Sequence, residues 1–252
     1  MKRSLVFLYG VVCYVVSLAT FAYTFSFLGN LWIRRSIDAP RDAPVAAALL
    51  TDLALLALFA VQHSVMARPA FKRLWTRLVP ESAERSTYML FSCLALGAAM
   101  VYWQPVGGVL WDTQAPAVRA SLFGIYVLGW GILLWATFLL NHFDLFGLRQ
   151  VWLQLVARSY RPLPFGNPIL YRYVRHPIYV GWLLTFWAAP TMTVAHLLFA
   201  LTLSGYILIA IQFEELDLVA AHPEYEDYRR RVPMLLPFRT KLSDSERITI
   251  ER

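Results

Sequence analysis

Residues 179–213 read YVGWLLTFWAAPTMTVAHLLFALTLSGYILIAIQF, and this run decides the fold. It is apolar for 35 residues apart from small hydroxyl side chains, His196 and Gln212. A single α-helix of that length would rise roughly 50 Å, well beyond a hydrocarbon core of about 30 Å. Pro190, followed by Thr191 and Thr193, interrupts the run near its first third, where a proline removes a helical donor and clashes with the preceding turn. The sequence therefore predicts a helix–turn–helix hairpin, with a short arm of about 12 residues and a longer arm from Val194. The short arm requires protein around it, because backbone groups left unpaired in lipid are costly.

Four further apolar runs lie upstream, at about 5–28, 45–65, 87–103 and 120–140. Each approaches the roughly 20 residues that a span needs. The expected architecture is an all-α polytopic membrane helix bundle: four spans, the hairpin 179–213 and a charged cytoplasmic tail 214–252, in one domain over residues 1–252. Composition agrees, since 58% of the 252 residues are hydrophobic, above the 45–50% usual for a soluble chain. The first run is too long for a signal-peptide core of 7–15 residues, so it is read as a span. Cys13 and Cys93 both sit in apolar runs, which excludes a disulfide framework or a metal set built on them.

Basic residues orient the bundle. Five lie between 67 and 87 (Arg68, Lys72, Arg73, Arg77, Arg85) and five arginines lie between 141 and 175, whereas 104–118 has none. The positive-inside rule puts the rich loops in the cytoplasm, in keeping with a multi-pass protein of a bacterial inner membrane. Arg34, Arg35 and Arg41 run against it, in a loop that should be outside. The net charge of +7 reflects this asymmetry rather than nucleic-acid binding, because no separate basic domain exists.

Polar groups gather at the predicted cytoplasmic ends of the spans: Gln62-His63-Ser64, Asn141-His142-Phe143-Asp144, Arg149-Gln150, Arg175-His176-Pro177 and Glu214-Glu215. Ionisable residues at membrane depth usually line a protein cavity, so one shared polar pocket is expected. Pro177 suits the first turn of a helix, and the amides of that turn, beside Arg175 and His176, form an anion site. By pattern alone the same turn reads equally as a capped helix start with a basic flank. Glu214-Glu215 closes the long arm at the same level, where a cation or amine would fit. Tyr225 and Tyr228 share a helical face; they serve either as rings for a cation or as packing for the tail.

Arg175-His176-Pro177-x-Tyr179-x-Gly181, an apolar hairpin, Glu214-Glu215-x-x-Leu218, then Tyr225-x-x-Tyr228-x-x-x-Val232-Pro233-x-x-x-Pro237 resembles the isoprenylcysteine carboxyl methyltransferase superfamily of membrane enzymes. His63-Ser64-Val65-Met66-Ala67-Arg68-Pro69, Glu84-Arg85-Ser86-Thr87-Tyr88 and the stretch Asn141–Gln150 look like its methanethiol S-methyltransferase branch. The resemblance implies methyl transfer from S-adenosyl-L-methionine to methanethiol, giving dimethyl sulfide. It implies cofactor contacts at Tyr171, His176, Pro177, Ile178, Tyr179 and Glu214; Arg175, Glu215, Gln150, Tyr225 and Tyr228 are added from their position beside these. The superfamily's prenylcysteine enzymes carry an arginine where this chain has Ala210, which weighs against a carboxylate-bearing acceptor and fits a small neutral thiol.

A thiol attacks as its thiolate, and a free thiol with a pKa of about 8.5 is mostly protonated at neutral pH. A base or nearby cation is therefore expected; His142 and Arg149 are the first candidates and His63 the next. No metal is expected, the partners are a small thiol and membrane lipid, and the oligomeric state stays open. Two alternatives remain at this level: a methyltransferase acting on a prenylcysteine or lipid, and a non-enzymatic haem or redox helper using His63 and His142. His196 and Asp52 receive no role.

Overall fold

The computed structural model describes residues 2–40, 44–164, 166 and 168–237; Arg41 and the part of the expected tail beyond residue 237 lie outside the described residues. The chain is an all-α polytopic membrane bundle. Its helices in order are α1 (Lys2–Leu28), α2 (Val45–Ala67), α3 (Pro69–Trp75), α4 (Glu81–Val101), α5 (Pro116–Leu139), α6 (His142–Leu145), α7 (Leu148–Leu155), α8 (Pro177–Trp187), α9 (Val194–Ala221) and α10 (Tyr225–Arg231). A 3-10 turn, Ile169–Arg172, precedes α8, and two short strands, β1 (Val109–Asp112) and β2 (Thr191–Thr193), complete the described structure. Among the described residues four helices, α1, α2, α5 and α9, are long and apolar enough to cross a membrane.

The hairpin forms where the sequence breaks. α8 stops at Trp187, and β2 follows Pro190 directly. β2 pairs antiparallel with β1, with Asp112 opposite Thr191 and Val109 opposite Thr193, so the interrupted backbone finds partners within the protein. Thr193 then caps α9, its side chain accepting from the His196 amide at 3.1 Å. The short arm lies on α5 through a glycine pair. A Cβ on Gly181 would come within 2.7 Å of the Gly129 carbonyl, and one on Gly129 within 2.9 Å of the Gly181 carbonyl. Small residues let membrane helices approach backbone to backbone in this way.

Element bounds differ from the apolar runs where charge is satisfied locally. α4 begins at Glu81, six residues before the run at 87–103, because Glu81 and Glu84 suit a helix N-terminus. α9 passes Glu214 and Glu215 without ending and continues to Ala221, so the tail begins at His222 rather than at residue 214. Its 28 residues extend about 42 Å, which carries its last turns out of a core of about 30 Å. The hydroxyls inside α1 cost little: Ser17, Thr20, Thr24 and Ser26 each donate to the carbonyl four residues earlier. The core is aromatic at its centre, where Phe27, Trp103, Phe186 and Phe199 meet edge to face.

Candidate active site

The two feet of the hairpin meet. His176 is the N-cap of α8, and its Nε2 lies 2.9 Å from Glu215 Oε1 near the end of α9. Arg175 Nε donates to the same oxygen at 2.6 Å, and Tyr225 OH from α10 at 3.3 Å. Arg175 Nη1 also donates to the Arg229 and Val232 carbonyls, while the Arg175 and His176 amides donate to Pro233 and Met234. This buried clasp ties tail, α8 and α9 together. Tyr228, whose phenol burial pushes up to about 12, stays a donor and gives its proton to the Tyr171 carbonyl at 2.6 Å.

Glu214 is one residue and about 100° of helix away, and it is placed differently. Its Oε2 accepts from Tyr179 OH at 2.9 Å and stands 4.0 Å from His176 Nδ1, with 43% of the side chain exposed. Burial, then the Glu214 carboxylate, raises the Tyr171 phenol, whose OH donates to the Ala136 carbonyl at 3.4 Å. Pro177 and Ile178 hold the first turn of α8, whose amides a helix cannot satisfy internally. The expected residues Tyr171, Arg175, His176, Pro177, Ile178, Tyr179, Glu214, Glu215, Tyr225 and Tyr228 thus gather at one end of the molecule. Within that group Arg175, Glu215, Tyr225 and Tyr228 build the clasp, and Tyr179 orients the partly exposed Glu214.

His63, on α2, meets side chains of both α4 and α9. Ser92 Oγ gives its hydrogen to the Tyr88 carbonyl at 2.9 Å, so its 3.0 Å contact with His63 Nδ1 has the imidazole donating. Nε2 is then the acceptor, 2.9 Å from Tyr88 OH. The ring stacks on Phe59 and meets Tyr206 edge-on. Tyr206, Ala210 and Glu214 fall at i, i+4 and i+8 and share one face of α9. Arg85 lies over the Tyr88 ring at 5.2 Å and donates to the Leu145 carbonyl. Tyr88, Ser92 and Tyr206 were missed as site residues; the spacing of Tyr206 from Glu214 was the available signal.

His142, Arg149 and Gln150 are elsewhere. The His142 ring is only 3% exposed, sandwiched between Phe138 and Phe146 with centroids at 4.3 and 4.5 Å. Thr137 Oγ1 donates to Leu134, so His142 Nδ1 donates to Thr137 while Nε2 accepts from Tyr14. Arg149 is engaged by Asp144 at 2.6 Å and stacks on Tyr160. Gln150 borders a polar cavity of about 670 Å³ lined also by Lys72, Glu84, Arg85, Asp144 and Tyr160. The expected single pocket is therefore not formed as one: this charged cavity takes in Gln150 and Arg85 but is not lined by His63, His176 or Glu214. Asp52, without an assigned role, accepts from the Gln104 amide at 2.9 Å and anchors the loop after α4.

The chain is 52% identical to a methanethiol S-methyltransferase of Crocosphaera subtropica, over 96% of each chain. It is 49% identical to the methanethiol S-methyltransferase of Mycobacterium tuberculosis, over 94% of this chain and 98% of that one. It is also 34% identical to Nurim of Rattus norvegicus, over 72% of each. No family model matches the chain, and no solved structure matches it.

Proposed function

Because this chain belongs to the methanethiol S-methyltransferase family, we propose that it methylates methanethiol to dimethyl sulfide with S-adenosyl-L-methionine, at the cytoplasmic face of an inner membrane. The observation that carries this is the pairing of two adjacent glutamates with different duties. Oε1 of Glu215 accepts from Arg175, His176 and Tyr225, whereas Glu214, oriented by Tyr179, keeps 43% of its side chain exposed.

The residues fit the donor. Glu214 suits an ammonium, the first-turn amides of α8 suit a carboxylate, and the rings of Tyr179 and Tyr206 suit a sulfonium. When bound, S-adenosyl-L-methionine supplies an electrophilic methyl group. The chain's own residues prepare the acceptor. His63 Nε2, through Tyr88, is the base placed to take the thiol proton, and the Arg85 cation over Tyr88 favours the thiolate. His142 and Arg149, both engaged in packing and ion pairing, serve as positioning residues in this reading. The donor so held would offer its methyl carbon to that thiolate sulfur with the sulfonium sulfur as leaving group, and the opposite charges would cancel, which exclusion of water would favour.

Ala210, between Tyr206 and Glu214 on the same face, offers no cation to an acceptor carboxylate, which favours a small neutral thiol over a prenylcysteine. The positive-inside asymmetry supports the cytoplasmic orientation. The test is headspace gas chromatography of membranes given S-adenosyl-L-methionine and methanethiol. Dimethyl sulfide above a boiled control is expected; its absence from membranes that contain the folded protein overturns the proposal.

A further inference from the structure

Apart from Arg85, the charged cavity of about 670 Å³ takes no part in the methyltransferase reading. Its walls come from α3, the first turns of α4, α7 and the residues that follow α7, and they carry opposite charges that do not meet. Among the described residues Lys72 and Arg158 make no ion pair or side-chain hydrogen bond, and neither do Glu81 and Glu84. Asp144, by contrast, is taken by Arg149 and Tyr160. Burial, then the Arg85 charge, lowers the Lys72 ammonium from its ordinary value against the pull of Glu84. Like charges held near each other in a half-buried place favour an anion between them. Glu81 and Glu84, one turn apart on α4, favour a cation in the same way. A bare anion would meet the two acids and a bare cation the three basic side chains, so the lining suits a group that carries both charges.

The two short helices that bracket the cavity are two-faced. α7 gives Gln150 and Gln154 to the lining, while Trp152 and Val156 are exposed. α3 gives Lys72, while Leu74 and, just past the helix, Leu78 are exposed. Each helix rests on a longer one through a tryptophan: Trp152 packs on Phe7 of α1 at 5.8 Å, and Trp75 meets Phe91 of α4 edge-on at 6.2 Å. Amphipathic helices of this kind lie in the plane of a membrane surface, where tryptophan rings concentrate. The cavity between them then sits at the level of the lipid headgroups. We propose that it holds the headgroup of an aminophospholipid, with the phosphodiester against Lys72, Arg85 and Arg158 and the primary ammonium against Glu81 and Glu84. An ammonium with three N–H donors can serve both carboxylates, which a quaternary amine cannot. The bound lipid is a resident of the cytoplasmic face, separate from the methyl acceptor.

The test takes the full chain purified in detergent and freed of lipid. It is titrated with dioleoylphosphatidylethanolamine, dioleoylphosphatidylglycerol or soluble O-phosphoethanolamine, and bound molecules are counted by native mass spectrometry. The unaltered protein should hold one phosphatidylethanolamine about fivefold more tightly than phosphatidylglycerol, the worth of a partly exposed charge pair. O-phosphoethanolamine should compete only weakly, because it has no acyl chains to bury. Lys72→Gln should weaken both lipids by about fivefold. Glu84→Gln should weaken phosphatidylethanolamine and strengthen phosphatidylglycerol, which erases or reverses the preference. Arg158→Gln, at an exposed position, gives the same readout should Lys72→Gln fail to fold. Equal binding of the two lipids by the unaltered chain overturns the proposal, as do variants that keep its affinities. O-phosphoethanolamine bound as tightly as the lipid overturns the membrane as the source and makes the ligand a soluble zwitterion. None of these outcomes depends on dimethyl sulfide formation, so either proposal can fail and leave the other standing.

Discussion

The hairpin carries a histidine–carboxylate clasp at each end, and the two differ in what they leave over. At the turn end, His196 Nδ1 lies 2.9 Å from Asp38 Oδ2 and its Nε2 lies 3.1 Å from the Phe186 carbonyl. Asn30 and Thr193 donate to the same carboxylate at 2.7 and 2.6 Å. Burial opposes the Asp38 charge, but the bonds from His196, Thr193 and Asn30 outweigh it and hold the carboxyl below its usual range. Every described polar atom of that cluster points at another member, so it is a fastener. At the tail end, His176, Arg175 and Tyr225 converge on Oε1 of Glu215, and the preceding residue, Glu214, supplies a second carboxylate that stays partly exposed. Two acids in sequence on one helix are thus placed differently: one holds the tail, and the other stays partly exposed, where under the proposed function it meets the ammonium of the methyl donor.

The largest expected effect breaks the tail clasp. Glu215→Ala leaves the Arg175 guanidinium, itself 9% exposed, beside an empty partner position. Removing one member of a buried pair costs about 3–5 kcal/mol, so thermal unfolding in detergent should show a sharply lowered midpoint together with loss of donor binding. A midpoint like that of the unaltered chain would show that the tail is held by its apolar contacts alone. Asp38→Ala comes next. It strands the His196 ring and two donors, at a cost of about 1–3 kcal/mol, and should lower the midpoint while leaving KM for the donor unchanged. A rise in that KM would mean that the two ends are coupled through α9.

Glu214→Ala has the opposite signature. Its side chain is partly exposed, so the melting midpoint should move by no more than about 0.5 kcal/mol equivalent, while calorimetric affinity for S-adenosyl-L-methionine falls about tenfold, the worth of one charge-assisted hydrogen bond. Unchanged affinity would remove Glu214 from the donor site and break the proposed division of labour.

Much of this was written in the chain. The 35-residue apolar run with Pro190 near its first third specified the hairpin, because length and proline chemistry are local properties. Which of two neighbouring glutamates is buried was not legible. That depends on the rotation of α9 by one residue, and both Arg175 and His176 lie about 40 positions away. The end of α9 was misplaced for a related reason: Glu214, Glu215 and Asp217 look like an exit from the membrane, yet each finds a partner and the helix runs on. Asp38 and His196, separated by 158 positions, have no sequence signal that joins them. His142 looked like the better base because it sits in a polar motif, but Phe138, one helical turn upstream, folds over its ring.

His142 and His63 extend the comparison to its smallest effect. Both donate from Nδ1 to a hydroxyl whose own hydrogen is spent on a carbonyl, and both accept at Nε2 from a tyrosine. One is packed between two phenyl rings, and the other stacks on Phe59 beside Tyr206. Burial lowers the pKa of His142 below its ordinary value of 6.5. The unfolded chain therefore binds a proton at pH values where the folded chain does not, and stability is full above about 6.5 and declines as pH falls below it. His142→Phe keeps the ring stack and removes that titration, so the melting midpoint should become flatter between pH 7 and 5 while methanethiol is still methylated at pH 7. If the variant instead loses its rate at every pH with its midpoint intact, His142 is the base, and the assignment to His63 falls.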